Sequence, residues 1–591
     1  MSGRMQKNCR GVPVSPGFAQ GVAQVYRPYT PEPKEVVLEP GRVAGELKRF
    51  RQALHAAERE LHVLHTQVKR DLGPDFADFI QVQLTLLRDE EVIKQTEAFI
   101  HEAYRNAEFA YSQTVRLMSE PVAKSEVPLF KERMLDIVDV SNRVMRHLLG
   151  EDSRSLLEVK PGTVIFAHDL PPSEAALLDP RKVVGLVLEA GGKTSHTAIM
   201  AKAKEIPAVM GAGPICDAVT DGQQVFVDGY RGVAIINPTK SRLRAYEDEI
   251  ERVRQHRESL SVLATRESVT ADGRTIDLSA NIEFIAEARA AKKYGARGIG
   301  LFRTEYMYLA KRRPPTEEEQ FLVYSEVAKL FKPYPVIIRT FDLGGDKVLG
   351  GYAEANPFLG LRAIRLTLQK LDLFGDQLRA ILRASAVGNV KVMFPMVSTI
   401  EELRRAKLEV ERAKRQLKTR GEAFDEDFEV GVMVETPSAA IMADRLARDC
   451  SFLSIGSNDL TQYTLAVDRG NEHVAKLFNH LHPAVLYLIK RTIDAAHQQG
   501  IWVGMCGEFA SDPLGMLVLL GMGVDEMSVS PGTIPEAKGI IRAIDSGAAA
   551  EVIAAAMKLG TALEVQHLLR REMDRRFPQL AEFLFSAKDE R

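Results

Sequence analysis

Eight short apolar runs alternate with helical segments through the second half of the chain, and this leaves it few ways to fold. They are Ile276–Ala280, Gly298–Phe302, Val336–Arg339, Val390–Met396, Gly431–Val434, Phe452–Gly456, Trp502–Cys506 and Asp525–Val529. Parallel strands need a crossover between them, which a helix usually supplies. Eight βα units in about 300 residues therefore predict a (β/α)8 TIM barrel over 264–591. In such a barrel the chemistry gathers where the strands end. Run two ends in Arg303-Thr304-Glu305, run three in Arg339-Thr340-Phe341-Asp342, and run five in Glu435-Thr436-Pro437. Run six ends in Ser457-Asn458-Asp459, with Arg469 shortly after, and run seven in Cys506-Gly507-Glu508. One charged residue at a strand end is as readily a solvated loop residue. Five runs ending this way would converge on one rim.

Each residue type on that rim suits a task. Arg303, Arg339 and Arg469 can fork onto phosphate or carboxylate oxygens. Glu435 and Asp459 are hard oxygen ligands on adjacent strands, and two carboxylates with substrate oxygens and water make a usual Mg²⁺ site. Asn458 can donate to a phosphate oxygen. Cys506 is either a buried inert thiol or a proton donor.

The first half centres on Gly191-Gly192-Lys193-Thr194-Ser195-His196-Thr197-Ala198-Ile199-Met200. An apolar run, Val183 to Leu188, leads into the two glycines, and a helix follows until Pro207. His196 thus stands at a helix start, where free N–H groups and the dipole welcome phosphate and keep an imidazole neutral. Such a histidine is either a polar cap or a phosphohistidine. The surrounding runs, over 1–33 and 151–238, predict a compact α/β domain. Between its parts, 34–150 is helical throughout. Val43, Leu47, Phe50, Leu54, Ala57, Leu61, Leu64 and Val68 recur at steps of four and three, the seam of a long amphipathic helix. Further helices are expected over Phe76–Leu87, Val92–Tyr104, Phe109–Met118 and Met134–Leu149. A charged stretch without glycine or proline, 239–263, reads as a linker helix.

A net charge of −2 gives no electrostatic case for nucleic acid or an anionic membrane surface. No stretch approaches the roughly 20 apolar residues of a membrane helix, and the polar start lacks a signal-peptide core. Four cysteines with no CxxC pair argue against a disulfide framework or zinc site and fit a cytoplasmic location.

The His196 stretch closely resembles the phosphohistidine signature of phosphoenolpyruvate-utilising enzymes, and its Thr-Ala-Ile-Met-Ala continuation is similar to enzyme I of the bacterial phosphoenolpyruvate:sugar phosphotransferase system. Arg339-Thr-Phe-Asp-Leu-Gly-Gly-Asp-Lys347, Asn356-Pro-Phe-Leu-Gly360, Val432-Met-Val-Glu-Thr-Pro437, Ser457-Asn-Asp-Leu-Thr-Gln-Tyr463 and Gly504-Met-Cys-Gly-Glu508 resemble that family's barrel. The resemblance runs from about Gly11 to the C-terminal helices. It implies a phosphoenolpyruvate-protein phosphotransferase in which Arg303, Arg339 and Arg469 bind phosphoenolpyruvate and Asn458 holds its phosphate. It also implies that Glu435 and Asp459 hold Mg²⁺, that Cys506 protonates the enolate, and that His196 carries the phosphoryl group to a histidine of the carrier HPr. HPr would dock on the helical unit, and the chain would be a homodimer through its barrel. Two positions depart from the family pattern: Lys193 stands where relatives often have Arg, and Gln83 where they often have His. Related readings are a regulatory, nitrogen-type paralogue, which usually adds a sensory domain ahead of this pattern, and a non-catalytic binder on the same fold. A dikinase or phosphoenolpyruvate synthase would need a nucleotide-binding domain, for which the pattern leaves no room.

Overall fold

The computed structural model describes the chain apart from residues 1–5, 28–32, 72–73, 124–127, 151–158, 193–195, 312, 345–353, 355, 472, 579 and 581–591. Lys193, Thr194, Ser195, Gly345, Asp346 and Lys347 lie outside the described residues, as does the side chain of His196. The chain forms two compact units, Met1–Arg252 and Val253–Arg591.

The first unit holds an eight-stranded sheet. Its strands are β1 (Lys7–Arg10), β2 (Val12–Ser15), β3 (Phe18–Tyr26), β4 (Thr163–Ala167), β5 (Val183–Leu188), β6 (Ala208–Met210), β7 (Gln224–Asp228) and β8 (Val233–Ile236), in the order β1-β8-β7-β3-β4-β5-β6-β2. The run β3-β4-β5-β6 is parallel and the outer pairings are antiparallel. Parallel strands are covered on both faces, and β4 is buried at every position. The Val12 to Tyr26 segment reads as two strands and contains two; β1 was not legible, because three of its four residues are exposed.

Five helices lie between β3 and β4: α1 (Val43–Asp71), α2 (Pro74–Leu87), α3 (Glu90–Ala103), α4 (Ala107–Ala123) and α5 (Pro128–Leu149). Along the α1 seam Val43, Phe50, Ala57, Leu61, Leu64 and Val68 are buried, while Leu47 and Leu54 are half-buried and Ala53 packs inward. Glu46 in its first turn and Lys69 and Arg70 in its last complement the helix dipole. The short α6 (Pro172–Leu177) follows β4, and α7 (His196–Ala203) follows β5. Gly191, at φ +91°, makes the turn between β5 and α7 in a conformation that costs glycine little. The charged stretch after Pro238 is α8 (Lys240–Ser261), within which the boundary of the two units falls.

The second unit is a closed parallel barrel of β9 (Asp277–Ile282), β10 (Ile299–Arg303), β11 (Val336–Arg339), β12 (Val390–Phe394), β13 (Val430–Val434), β14 (Phe452–Ile455), β15 (Trp502–Met505) and β16 (Glu526–Val529). Each of the eight apolar runs supplies one strand. Alternation along the strands divides the apolar residues into two cores. Val430, Val432 and Val434 join the large cluster that includes the surrounding helices. Leu301, Ile337, Met393, Met433, Phe452 and Cys506 form a separate cluster, with Trp502 packed against it. The rings of Phe452 and Trp502 stack at 4.5 Å, with Lys391 Nζ 5.1 Å from the Trp502 centroid. A carboxyl, that of Glu526, shares the enclosed space: it is 4% exposed. Its oxygens occupy the place where a Cβ on Gly300 or Gly504 would stand, 2.2 Å from each.

Candidate active site

The same alternation that places Ile337 and Met433 in the smaller core carries the following same-face residues, Arg339 and Glu435, to the strand ends. Arg303 and Arg339 are register partners, the last residues of β10 and β11. Arg303 Nη1 donates to Glu283 Oε1 at 2.9 Å. Arg339 is 8% exposed, and its Nη2 donates to Glu305 Oε1 at 2.9 Å. Its Nη1 lies 3.5 Å from Asp342 Oδ2. Asp342 also receives both Nε and Nη2 of Arg362, at 3.1 and 2.8 Å. Arg362 Nη1 then reaches toward Asp459 Oδ1 at 3.6 Å, and Arg469 Nη2 approaches Asp459 Oδ2 at 3.8 Å. Arginines and carboxylates thus alternate around the rim: Arg339, Asp342, Arg362, Asp459, Arg469.

Glu435 sits against this chain, 1% exposed, accepting the backbone N–H of Met396 at 2.6 Å. Met396 itself holds φ +57°, a conformation a non-glycine residue keeps only under tertiary constraint. Burial, then the Asp459 and Asp342 charges, push the Glu435 carboxyl well above the usual range, against the pull of Arg339 and Arg362. Burial works the other way on Arg339 and Arg362, but the acidic neighbours outweigh it and hold both firmly protonated. Asp459 and Asn458 belong to the first turn of the helix Ser457–Leu465, directly after β14. Asn458 Oδ1 accepts the N–H of Glu508 at 3.1 Å, joining the ends of runs six and seven. Cys506 is 2% exposed and receives the Ser454 hydroxyl at 3.4 Å. Burial pushes its thiol up to about 12, so it is protonated at neutral pH.

Four buried polar atoms at the strand ends of this rim have no hydrogen-bond partner: Arg339 Nε, Thr340 Oγ1, Ser457 Oγ and Asp459 Oδ1. Buried polar groups are nearly always satisfied, so a cluster of such atoms is what a polar ligand would complete. Glu435 and Asp459 fit a divalent cation on the same ground: two mutually repelling carboxylates, one with an idle oxygen. Among the described residues no group of three or more His, Cys, Asp or Glu side chains could hold a metal by itself, so further ligands have to be substrate oxygens and water.

Three family models match the chain: PEP-utilising enzyme, N-terminal, over residues 10–133; PEP-utilising enzyme, mobile domain, over 159–232; and PEP-utilising enzyme, PEP-binding domain, over 257–546. The chain is 41% identical over 569 residues to the phosphoenolpyruvate-protein phosphotransferases of Bacillus sp. (strain S) and Geobacillus stearothermophilus, covering 96% of this chain and 98% of each relative. It is 39% identical over 567 residues to that of Haemophilus influenzae, covering 95% and 98%. The chain belongs to the phosphoenolpyruvate-protein phosphotransferase family.

In this member of the phosphoenolpyruvate-protein phosphotransferase family the geometry adds residues that the strand-end reading missed. Arg362 links Asp342 to Asp459, with its guanidinium 5.6 Å from the Phe358 ring centroid. The one available signal was its place two residues after Asn356-Pro-Phe-Leu-Gly360. Glu305 and Asp342 stood in the quoted runs, but as neighbours of arginines and not as their partners. Arg339, Glu435, Asp459 and Arg469 are brought together, with Cys506 feeling the Glu435 and Arg339 charges. Arg303 joins through strand register and its Glu283 pair rather than through Asp342 or Asp459. His196 belongs to the first unit, as the first residue of α7. No described helix is long and apolar enough to cross a membrane.

Proposed function

We propose that the chain takes the phosphoryl group of phosphoenolpyruvate onto His196 and passes it to a histidine of HPr, releasing pyruvate. The observation that carries the reading is the alternating arginine–carboxylate chain with its idle polar atoms, on one barrel rim, in a chain that matches phosphoenolpyruvate-protein phosphotransferases nearly end to end. Arg303, Arg339 and Arg469 bind the anionic oxygens of the substrate, and Asn458 donates to its phosphate. Arg339 and Arg362 are held charged, so the rim keeps its positive partners while negative charge spreads over the transferring group. Glu435 and Asp459 would hold Mg²⁺, which when bound neutralises charge on phosphoryl oxygens.

His196 heads a helix, where the dipole disfavours imidazolium and favours an anionic group on the ring. Loss of the phosphoryl group leaves the enolate of pyruvate, and C3 of that enolate takes the Cys506 proton. A thiol held protonated by burial is suited to this, and the thiolate left behind faces the Arg339 guanidinium. In the same reading residues 34–150 form the HPr-binding unit, 1–33 and 151–238 the phosphohistidine domain, 239–263 the linker, and 264–591 the substrate and dimerisation domain.

The test is incubation with ³²P-labelled phosphoenolpyruvate and Mg²⁺. The intact chain should acquire acid-labile label and hand it to HPr, and His196→Ala should acquire none. Acid-stable label, or label on the His196→Ala protein, overturns the reading. Sedimentation of the labelled-competent protein tests the homodimer that belongs to it.

A further inference from the structure

The helical unit and the sheet meet through a buried polar knot that the phosphoryl-transfer scheme does not use. Its centre is Asp139 on α5, whose Oδ2 accepts Gln83 Nε2 of α2 at 2.7 Å and Ser173 Oγ of α6 at 2.5 Å. Arg143, one turn along α5 and 2% exposed, donates Nη2 to that Ser173 oxygen at 3.2 Å and pairs through Nη1 with Glu60 of α1. Gln83 is wholly buried, yet its Oε1 has no partner, and neither has Glu174 Oε2 beside Ser173. Burial and the Asp139 charge raise the Glu174 carboxyl above its ordinary range.

The knot connects to both ends of the His196 helix, at its far end through Lys204 Nζ, which donates to the carbonyls of Ala176 and Leu178, and at its start through the strap before α6. Ser173 is the second residue of α6, three residues after Leu170, and the Leu170 carbonyl accepts the Thr197 hydroxyl at 2.7 Å. Thr197 is the second residue of α7 and the immediate neighbour of His196. Its hydroxyl ties the start of that helix to the strap 170–173. The strap in turn is tied to α5 through Asp139 and Arg143, and to α2 through the Asp139 carboxylate.

We propose that Asp139, Ser173 and Gln83 are positioning residues, a latch that fixes the start of the His196 helix relative to the helical unit. The inference rests on the reading of His196 as the phosphoryl carrier and of the helical unit as the HPr dock. A latch at this place makes the geometry of transfer depend on how α2 and α5 lie against α6. The idle Gln83 and Glu174 oxygens fit a device that changes partners better than one built for cohesion alone, since a purely cohesive contact would satisfy them.

Ser173→Ala removes one hydroxyl without opening a large void, and Ser173→Thr keeps the hydroxyl. In the full chain, Ser173→Ala should lower kcat for transfer to HPr by about 10- to 100-fold, the scale of a small misplacement of reacting groups. KM for HPr and the binding of phosphoenolpyruvate should stay within about twofold of the original chain. Ser173→Thr should recover most of the rate, and Asp139→Asn should reproduce the Ser173→Ala defect. An unchanged kcat with a lowered melting temperature would make the knot mere packing and overturn the proposal, as would a raised KM at constant kcat. If the unsubstituted chain itself takes no label from phosphoenolpyruvate, the functional reading fails, a result separable from failure of the latch.

Discussion

At the residue scale the rim is governed by pairing. Arg362 stands between two carboxylates, Asp342 and Asp459, whose charges both act on Glu435, and its side chain is only 10% exposed. Arg362→Ala removes the bidentate partner of Asp342 and one of the two arginines beside Asp459, leaving Arg339 at 3.5 Å and Arg469 at 3.8 Å, so the cost stays below the about 3–5 kcal/mol of a fully broken buried pair. We expect a lower melting temperature of the barrel and a fall in kcat/KM for phosphoenolpyruvate, both largely absent in a variant altered at the exposed Arg404. Glu526 makes a contrasting case. Burial pushes its carboxyl up to about 7 in the folded chain, well above the ordinary carboxylate range. The folded state therefore binds the proton more tightly than the unfolded one. The resulting stability is full below the unfolded value and is lost as pH rises through about 7. The loss amounts to about 3 kcal/mol. Thermal melts of Glu526→Gln at pH 5 and pH 8 should differ less than those of the unsubstituted chain; equal slopes would dismiss the idea. Glu526 was not legible in the sequence as an interior group, because Asp525–Val529 reads as a plain apolar run and the room for a carboxyl comes from glycines on two other strands. Arg362 escaped notice for a related reason: its partners are assembled by loops, not by spacing along one strand.

At the element scale the two periodicities did most of the work. Strand alternation brings Arg339 and Glu435 to the strand ends on the face of the smaller core, so their place followed from the runs that precede them. Seven of the eight runs differ from the strands by one or two residues at an end, since a run of apolar letters does not show where ladder pairing stops. The steps of four and three in α1 marked its buried seam, yet Leu47 and Leu54 are only half-covered, because neighbouring helices pack over Ala53 instead. This difference is measurable. Leu61 is fully buried, so Leu61→Ala should destabilise the first unit by about 2–5 kcal/mol. Leu54→Ala should cost markedly less, as calorimetry of the first unit's transition would show. Comparable losses at the two positions would contradict the packing described. The strand Lys7–Arg10 left no such signal: Cys9 is its one buried residue, and its pairing is decided by β8, far along the chain.

At the scale of the whole molecule, one unit holds the barrel rim and the other holds His196, so the proposed function predicts that substrate binding and phosphoryl acceptance are separable by substitution. His196→Ala should bind phosphoenolpyruvate and Mg²⁺ with unchanged affinity by calorimetric titration, while losing all transfer. A large drop in affinity would mean that the imidazole is part of the binding site itself. The topology of the first unit has a further consequence for how the molecule comes into being. Lys7 of β1 pairs with Ile236 of β8, and Val22 of β3 lies beside Thr163 of β4 only after all five helices have been made. At ribosomal rates of about 5–20 residues per second, the opening strand waits on the order of 10–50 s for its partner. During that interval a nascent chain carries an unpaired edge, open to the wrong neighbour, and its earliest segment is among the last to be locked in place.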